Sequence, residues 1–360
     1  MIKVFERWVN RYFAEEEAVL VAVLLVAAVI IVVSMGVVLA PMFAAIIIAF
    51  LMQGLVARCK QVGIPHLGAV VIATLVLGGS IVLGLFVLLP AMWKQVLNLV
   101  GEAPGMIKEW QALMLLLPEK YPQFITKEQI TQLTGSLGGE LGKLGQSVVS
   151  FSLAQLPILI GILIYLVLVP ILVFFFLKDS QQMLRFVSGL LPKERPVMTQ
   201  IWWEMNLQVA NYVRGKVVEI VIVAGVTSVT FSLLGVQYAL LLGIITGLSV
   251  LIPYIGAAVA TLPVFLIGFF QWGWGSDLLY LMVAYSIIQA LDGNVLVPIL
   301  FSEAVKMHPV AIVLAVLVFG GLWGFWGVFF AIPLATLCKA VINAWPTGSL
   351  KAELAGPAVE

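Results

Sequence analysis

An all-α polytopic integral membrane protein is the fold that the sequence predicts, on three observations. Hydrophobic types make up 62% of the 360 residues, where a soluble domain has roughly 45–50%. Charged residues make up 10%, against roughly 25% in a soluble domain, so a soluble molecule of this size would lack the charge to cover its surface. The apolar residues also gather in runs as long as a bilayer core, without the period-two alternation of barrel strands. A mean hydropathy of +1.13 agrees. The net charge of +1 creates no basic field, so no nucleic-acid partner is expected. Cys59 and Cys338 make no disulfide framework.

A helix crosses a hydrocarbon core of about 30 Å with about 20 residues. Residues 1–90 predict an N-terminal region with three transmembrane helices. A charged start (Lys3, Arg7, Arg11, then Glu15, Glu16 and Glu17) leads into the run Ala18–Val33, and Val37–Ala57 follows after only Ser34-Met35-Gly36. That junction predicts an antiparallel helical hairpin rather than a cleaved signal peptide. Leu67–Leu89 is the third span. Residues 91–147 predict an extracytoplasmic amphipathic helical region. In it Glu102-Ala103-Pro104-Gly105 reads as a turn, Pro118 and Pro122 close the segment Met106–Leu117, and Thr126 with Gln129 makes a capping box. Residues 148–177 hold the fourth transmembrane helix. Residues 178–216 form a cytoplasmic amphipathic segment with a polar stripe of Glu204, Gln208 and Asn211. Residues 217–344 form a C-terminal transport core, and residues 345–360 a cytoplasmic tail.

Basic residues set the orientation. Lys3, Arg7 and Arg11, then Arg58 and Lys60, then Lys178, Arg185, Lys193, Arg195, Arg214 and Lys216 fall on one side if the spans alternate. That side is read as the cytoplasm, with both termini on it, in a bacterial inner (plasma) membrane.

No enzyme motif is present: no HExxH, no GxSxG, no GxxxxGK[ST] and no CxxC. With His66 and His308 the only histidines, no enzyme and no cofactor are expected. The absent nucleotide motif also leaves any uphill transport to an ion or substrate gradient.

An ionisable group at membrane depth is costly, at about 2.5–3.5 kcal/mol for an Asp or Lys at a helix centre, and so marks a functional site. In the span Leu278–Leu300, Gln289 and Asp292 stand three apart on one face, followed by Gly293, Asn294 and Pro298. Asp292 reads as the proton- or cation-exchanging carboxylate, with Gln289 and Asn294 as supporting ligands and Na+ as a candidate ion at Asp292 and Asn294. Glu219 in the span Val217–Leu234 has Lys216 three residues before it and reads first as one half of a boundary-level ion pair, and second as a candidate substrate- or ion-binding residue. His308-Pro309 reads first as a helix start and second as a proton-sensitive gate.

Two apolar pairs are broken. Val236–Ile252 and Tyr254–Phe270 are separated at Pro253 and Gly256, and Val310–Phe319 and Val328–Ala344 by a segment with Gly321, Gly324 and Gly327. Each unit reads aromatic–glycine, then a proline six or seven residues on: Pro263 after the first, Pro333 after the second. That predicts a structural repeat, with free backbone groups near the midplane where ions and polar substrates bind. The breaks leave open whether each pair crosses fully or turns back. Tyr254 is a candidate binding residue, and Pro253, Gly256, Pro298, Gly321, Gly324, Gly327, Pro333 and His308 are candidate breaks or gates.

Leu251-Ile-Pro-Tyr-Ile-Gly256, Asn294-Val-Leu-Val-Pro298, His308-Pro309 and Gly320-Gly-Leu-Trp-Gly-Phe-Trp-Gly327 through Ala331-Ile-Pro-Leu334 together resemble the autoinducer-2 exporter family. Gln289-Ala-Leu-Asp-Gly-Asn294 and Phe301-Ser-Glu-Ala-Val305 resemble its permease-type branch in Gram-negative bacteria, and the likeness extends to Asn211-Tyr-Val-Arg-Gly-Lys216. The resemblance implies about eight hydrophobic segments in an inner membrane and a transport role, with some relatives linked to export of the quorum signal autoinducer-2 and others to sodium(lithium)/proton antiport. It also implies a homo-oligomer, with a pentamer as the expected assembly. The expected function is thus a secondary transporter, a permease or exporter, embedded in the lipid bilayer. It would move a small solute or a monovalent cation, coupled to protons or another ion. A non-transporting scaffold and a passive pore are the alternatives.

Overall fold

The computed structural model describes residues 16–115, 130–132, 135, 136, 139, 143, 156–253, 255–301 and 307–345. Among them there is no strand, and eight helical stretches are long and apolar enough to cross a membrane. Large apolar side chains such as Val26, Ile30, Leu75 and Val221 stand exposed along these helices, as lipid-facing residues do. The proline pair at 118 and 122 and the capping box at 126–129 lie outside the described residues.

The first two apolar runs do not form the expected hairpin. They join in α1 (Glu16–Gln61), one helix of 46 residues. Ser34 stays in the helix by returning its hydroxyl to the Ile30 carbonyl at 2.6 Å. Gly36 is buried against the Trp323 indole, which occupies the space a Cβ would need. The glycine that looked like a turn is a notch for a distant aromatic ring.

The second half of α1 packs on α2 (His66–Leu83) and α4 (Leu156–Lys178) through Ala45, Ala49, Ala69, Ala73 and Val173. Small side chains let membrane helices approach closely. The His66 ring Nε2 lies 3.3 Å from the Lys178 carbonyl oxygen, so the basic loop after α1 meets the basic end of α4.

From α2 the chain runs through a π-helical turn (Gly84–Leu88) into α3 (Leu89–Met114) without interruption. The expected turn at 102–105 is absent, because Pro104 sits inside α3 at an exposed position. There, solvent can reach the carbonyl that proline leaves without a donor. A second π turn covers Asp292–Leu296. Each π turn ends two residues before a proline, Pro90 and Pro298. A proline removes one helical bond and crowds the carbonyl four residues back, and the widened turn absorbs that defect.

The amphipathic α5 (Ser180–Gly189) leads to α6 (Pro196–Leu233), a helix of 38 residues that runs from residue 196 straight into the apolar run that begins at Val217. One stripe of α6 is buried: Tyr212, Lys216, Glu219, Val223, Thr227 and Phe231. Their spacing of three and four places them on one helix face.

Both broken pairs are helical hairpins built on α6. The first pairs α7 (Ala239–Ser249) with α8 (Ile255–Trp272). At 11 residues α7 is too short for a full crossing. It runs antiparallel along α6: Gly243 abuts Ser228, Gly247 abuts Ala224, and the tip at Val250 reaches Lys216. Its base is tied by Gln271, whose amide nitrogen donates to the Gly235 carbonyl at 2.7 Å while its oxygen accepts from the Gln237 N–H at 2.8 Å. The base also docks on α3: the Tyr238 hydroxyl donates to Glu102 at 2.7 Å, and the Leu241 N–H donates to Gln95 at 2.9 Å. Tyr238→Phe is expected to cost about 1.5–3 kcal/mol, the worth of a hydrogen bond to a charged group, read as a lowered melting temperature in detergent.

After α9 (Ser276–Leu291), the π turn and α10 (Val297–Phe301), the second hairpin is formed by α11 (Pro309–Phe329) and α12 (Ala331–Ala344). α11 folds back at Gly324, whose φ of 58° and ψ of −134° are non-helical. Pro333 lies in the first turn of α12, where its missing N–H costs nothing. Ile332 packs beside Tyr212 while Leu337 and Val341 approach the start of α6. The two hairpins therefore enter from opposite ends of α6, and Ile252 at the first tip packs against Ala315, Val316 and Ala331 of the second.

Candidate functional site

A cavity of about 380 Å³ opens where the first hairpin tip meets α6, α9 with its π turn, and the second hairpin. Four polar side chains face it: Lys216, Glu219, Gln289 and Asp292. The rest of its wall is aromatic and aliphatic, including Tyr212, Phe301, Ile312 and Ile332.

Lys216 is 4% exposed and Glu219 2%. Lys216 Nζ lies 2.7 Å from Glu219 Oε2 and donates to the Val250 carbonyl at 3.0 Å. That carbonyl caps the C-terminal end of α7, where the helix dipole favours a cation. The ammonium also lies 5.2 Å from the Phe301 ring centroid, a cation–π distance. Phe301 fits because Gly215 leaves room beside α6. The expected ion pair exists, and it is buried in the core beside a cavity.

Gln289 and Asp292 share a face, and both line the cavity. Gln289 Nε2 and Asp292 Oδ1 are buried without a hydrogen-bond partner among the described residues. Buried polar atoms are normally satisfied, so these two are free to meet a ligand. A π turn begins at Asp292, a feature frequent at functional sites.

The structure does not bring Asn294 to this site. It is exposed, and its amide nitrogen donates to the Ala290 carbonyl of its own helix at 2.8 Å. Residues two apart on a helix point to opposite sides, so Asp292 and Asn294 do not assemble into one ion site. Among the described residues no group of three His, Cys, Asp or Glu could hold a metal.

Pro253 lines the cavity at the hairpin tip, and Tyr254 lies outside the described residues. Gly256 and Gly327 sit at matching points of the two hairpins, where a Cβ would strike the Ser249 and Phe319 carbonyl oxygens of the opposing arm. Gly321 has open space beside it. Pro298 is exposed after the π turn. His308 caps α11, its Nδ1 accepting from the Val310 N–H at 3.3 Å, and lies outside the cavity. Cys59 and Cys338 are free thiols.

Tyr212 and Phe301 escaped the sequence reading as cavity residues. For Tyr212 a signal was present, since it precedes Lys216 by one helical turn on the same face. Phe301 gave none, because its place depends on a glycine in another helix.

Opposed helical hairpins around a buried charged cavity, in a chain of apolar membrane-length helices, fit a polytopic membrane protein of transporter type. Sequence comparison agrees: the profile of the AI-2E family of transporters matches residues 18–347, and the chain belongs to that family. It is 45% identical over 353 residues to the provisionally named permease PerM of Escherichia coli (strain K12), covering 98% of this chain and 100% of that protein. It is 26% identical over 307 residues to YueF of Bacillus subtilis (strain 168), covering 83% of this chain and 82% of the relative. It is 25% identical over 314 residues to YrrI of the same organism, covering 84% and 85%. Both Bacillus proteins carry provisional transport-protein names.

Proposed function

We propose that the protein is an inner-membrane secondary transporter, a permease or exporter, that moves a small solute or a monovalent cation in exchange with protons or another ion. The observation that carries this reading is the cavity itself. Two polar atoms without a partner among the described residues, Gln289 Nε2 and Asp292 Oδ1, face a buried Lys216–Glu219 pair beneath the tip of the first hairpin. Asp292 is the exchanging carboxylate, and Gln289 is the neutral ligand on the same face. The tip at Val250–Pro253 is the gate: Lys216 holds it through the Val250 carbonyl, and releasing that bond opens the cavity along α6. Asn294 acts outside this site, so a cation at Asp292 is completed by Gln289 and by the substrate's own water. The basic loops at Arg58–Lys60 and Lys178–Arg195 support a cytoplasmic placement for that end of the bundle, with both termini there. A homo-oligomer is part of this reading, as the family resemblance implies.

The test uses purified protein in sealed proteoliposomes with a pH dye inside and sodium, lithium or potassium added outside. The wild type is expected to give a saturable, cation-specific pH change, and Asp292→Asn is expected to lower it by about 100-fold, the loss of an interaction worth about 2.7 kcal/mol. No pH response from monodisperse wild-type protein overturns proton-coupled cation exchange. An intact response in Asp292→Asn overturns the assignment of the carboxylate.

A further inference from the structure

A second cavity, of about 560 Å³, lies apart from the charged one, among the N-terminal half of α1, the amphipathic α5, the start of α6 and the end of α12. Its walls are mostly apolar, with Val21, Leu24, Leu184, Met205, Leu337 and Val341 among them. Among the described residues its charged lining residues are Arg185 and Arg195, and no carboxylate lines it. Arg195 Nη1 donates to the Ser188 carbonyl at 2.6 Å, which fixes the guanidinium at the wall. Arg185 Nε donates to the Gln181 carbonyl at 3.3 Å. A guanidinium has five N–H donors, so each keeps others for a ligand. Among the described residues neither arginine pairs with a carboxylate. Glu17 stands next to the cavity wall, where its Oε1 accepts the N–H of the lining residue Met198 at 2.8 Å.

The surroundings match a membrane interface. Phe186 and Leu190 on and after α5 are 71% and 73% exposed, and Trp203 at the start of α6 is 71% exposed. An amphipathic helix with exposed apolar residues, beside tryptophans and arginines, sits at headgroup depth.

The geometry points to a binding site for an anionic phospholipid, with its phosphate on Arg185 and Arg195 and an acyl chain along the apolar wall. The planar guanidinium fork matches phosphate oxygens two at a time. Basic pockets between membrane helices hold anionic headgroups in the same way. A free phosphate would use the arginines and leave the apolar wall against water. A zwitterionic lipid would fill the groove but bring its own ammonium towards two guanidiniums. The seated lipid bridges α12, an arm of the second hairpin, to α5 and α6, and so bears on how freely that hairpin moves.

The full-length protein in detergent would be mixed with phosphatidylglycerol or phosphatidylcholine, and bound lipid counted by native mass spectrometry. Phosphatidylglycerol is expected to be held about tenfold more tightly, a modest charge-assisted preference. Arg185→Gln, at an exposed position, is expected to shrink that ratio, and Arg185→Gln with Arg195→Gln to bring it close to one. Val187→Trp, which fills the groove and keeps both charges, is expected to lose both lipids. Equal binding of the two lipids by the wild type overturns the proposal. So does a full preference in the double variant with an unchanged melting curve, or displacement of the lipid by millimolar inorganic phosphate.

Discussion

Gly256→Ala and Gly327→Ala are each expected to leave a markedly less stable protein, with a loss of about 1–3 kcal/mol or more, the usual cost of forcing an extra carbon into packed structure. The cause is space, not backbone freedom. In each hairpin the returning arm passes the outgoing arm at the tip, and the added methyl would strike a backbone carbonyl, that of Ser249 or of Phe319. A carbonyl in a short helix cannot swing aside as a side-chain end does, so the two arms must separate. In the first hairpin that separation shifts Val250 and weakens its bond to Lys216. Gly321→Ala is the control, since nothing lies within 4 Å of its added carbon and alanine favours a helix over glycine. The measurement is the melting temperature and monodisperse yield in detergent. If Gly256→Ala melts with the wild type, the arms do not approach as described, and the hairpin reading fails with them.

These two glycines show how far the sequence could be read. Helix breaks at Pro253–Gly256 and Gly320–Gly327 were legible, because clustered glycine and proline weaken a helix, and the likeness between the two units suggested a repeat. What the two broken pairs build was not legible. That α7 runs antiparallel along α6, and that the hairpins enter from opposite ends, follow from the approach of Gly243 to Ser228 and from the shared cluster of Ile332 and Tyr212, which no local pattern announces. Ser34-Met35-Gly36 misled for the same reason. The residue types of a turn are also those of a close helix contact, and only the distant Trp323 decides between them. Within the site, Gln289 and Asp292 were legible from their three-residue spacing. Asn294 should have been separated from them on helical geometry alone, since two residues turn a side chain to the far side. The depth of the Lys216–Glu219 pair was hidden, because its spacing is that of any surface pair and its burial comes from the hairpin laid across it.

Lys216→Met is expected to be among the most damaging single changes, costing about 3–5 kcal/mol, because it leaves a carboxylate buried without its cation. Glu219 is 2% exposed and has Lys216 at 2.7 Å, while Asp292 lines the same cavity. Glu219→Met is expected to cost less, since Lys216 keeps the Val250 carbonyl, the Phe301 ring and Asp292 around it. The double variant Lys216→Met with Glu219→Met removes both charges and keeps similar volumes. It is expected to recover most of the stability that Lys216→Met loses, because apolar replacement of a buried pair is often neutral or stabilising. Stability alone would make the pair a piece of packing, and the double variant separates that case from a functional one. If the pair only holds the hairpin to α6, the double variant folds and transports. If Lys216 is the cation that latches the gate and Glu219 tunes it, the double variant folds with near wild-type melting and fails to transport in proteoliposomes. The decisive comparison is therefore flux against melting temperature across the three variants. Flux that recovers together with stability removes the pair from the mechanism and leaves Asp292 and Gln289 to carry it alone.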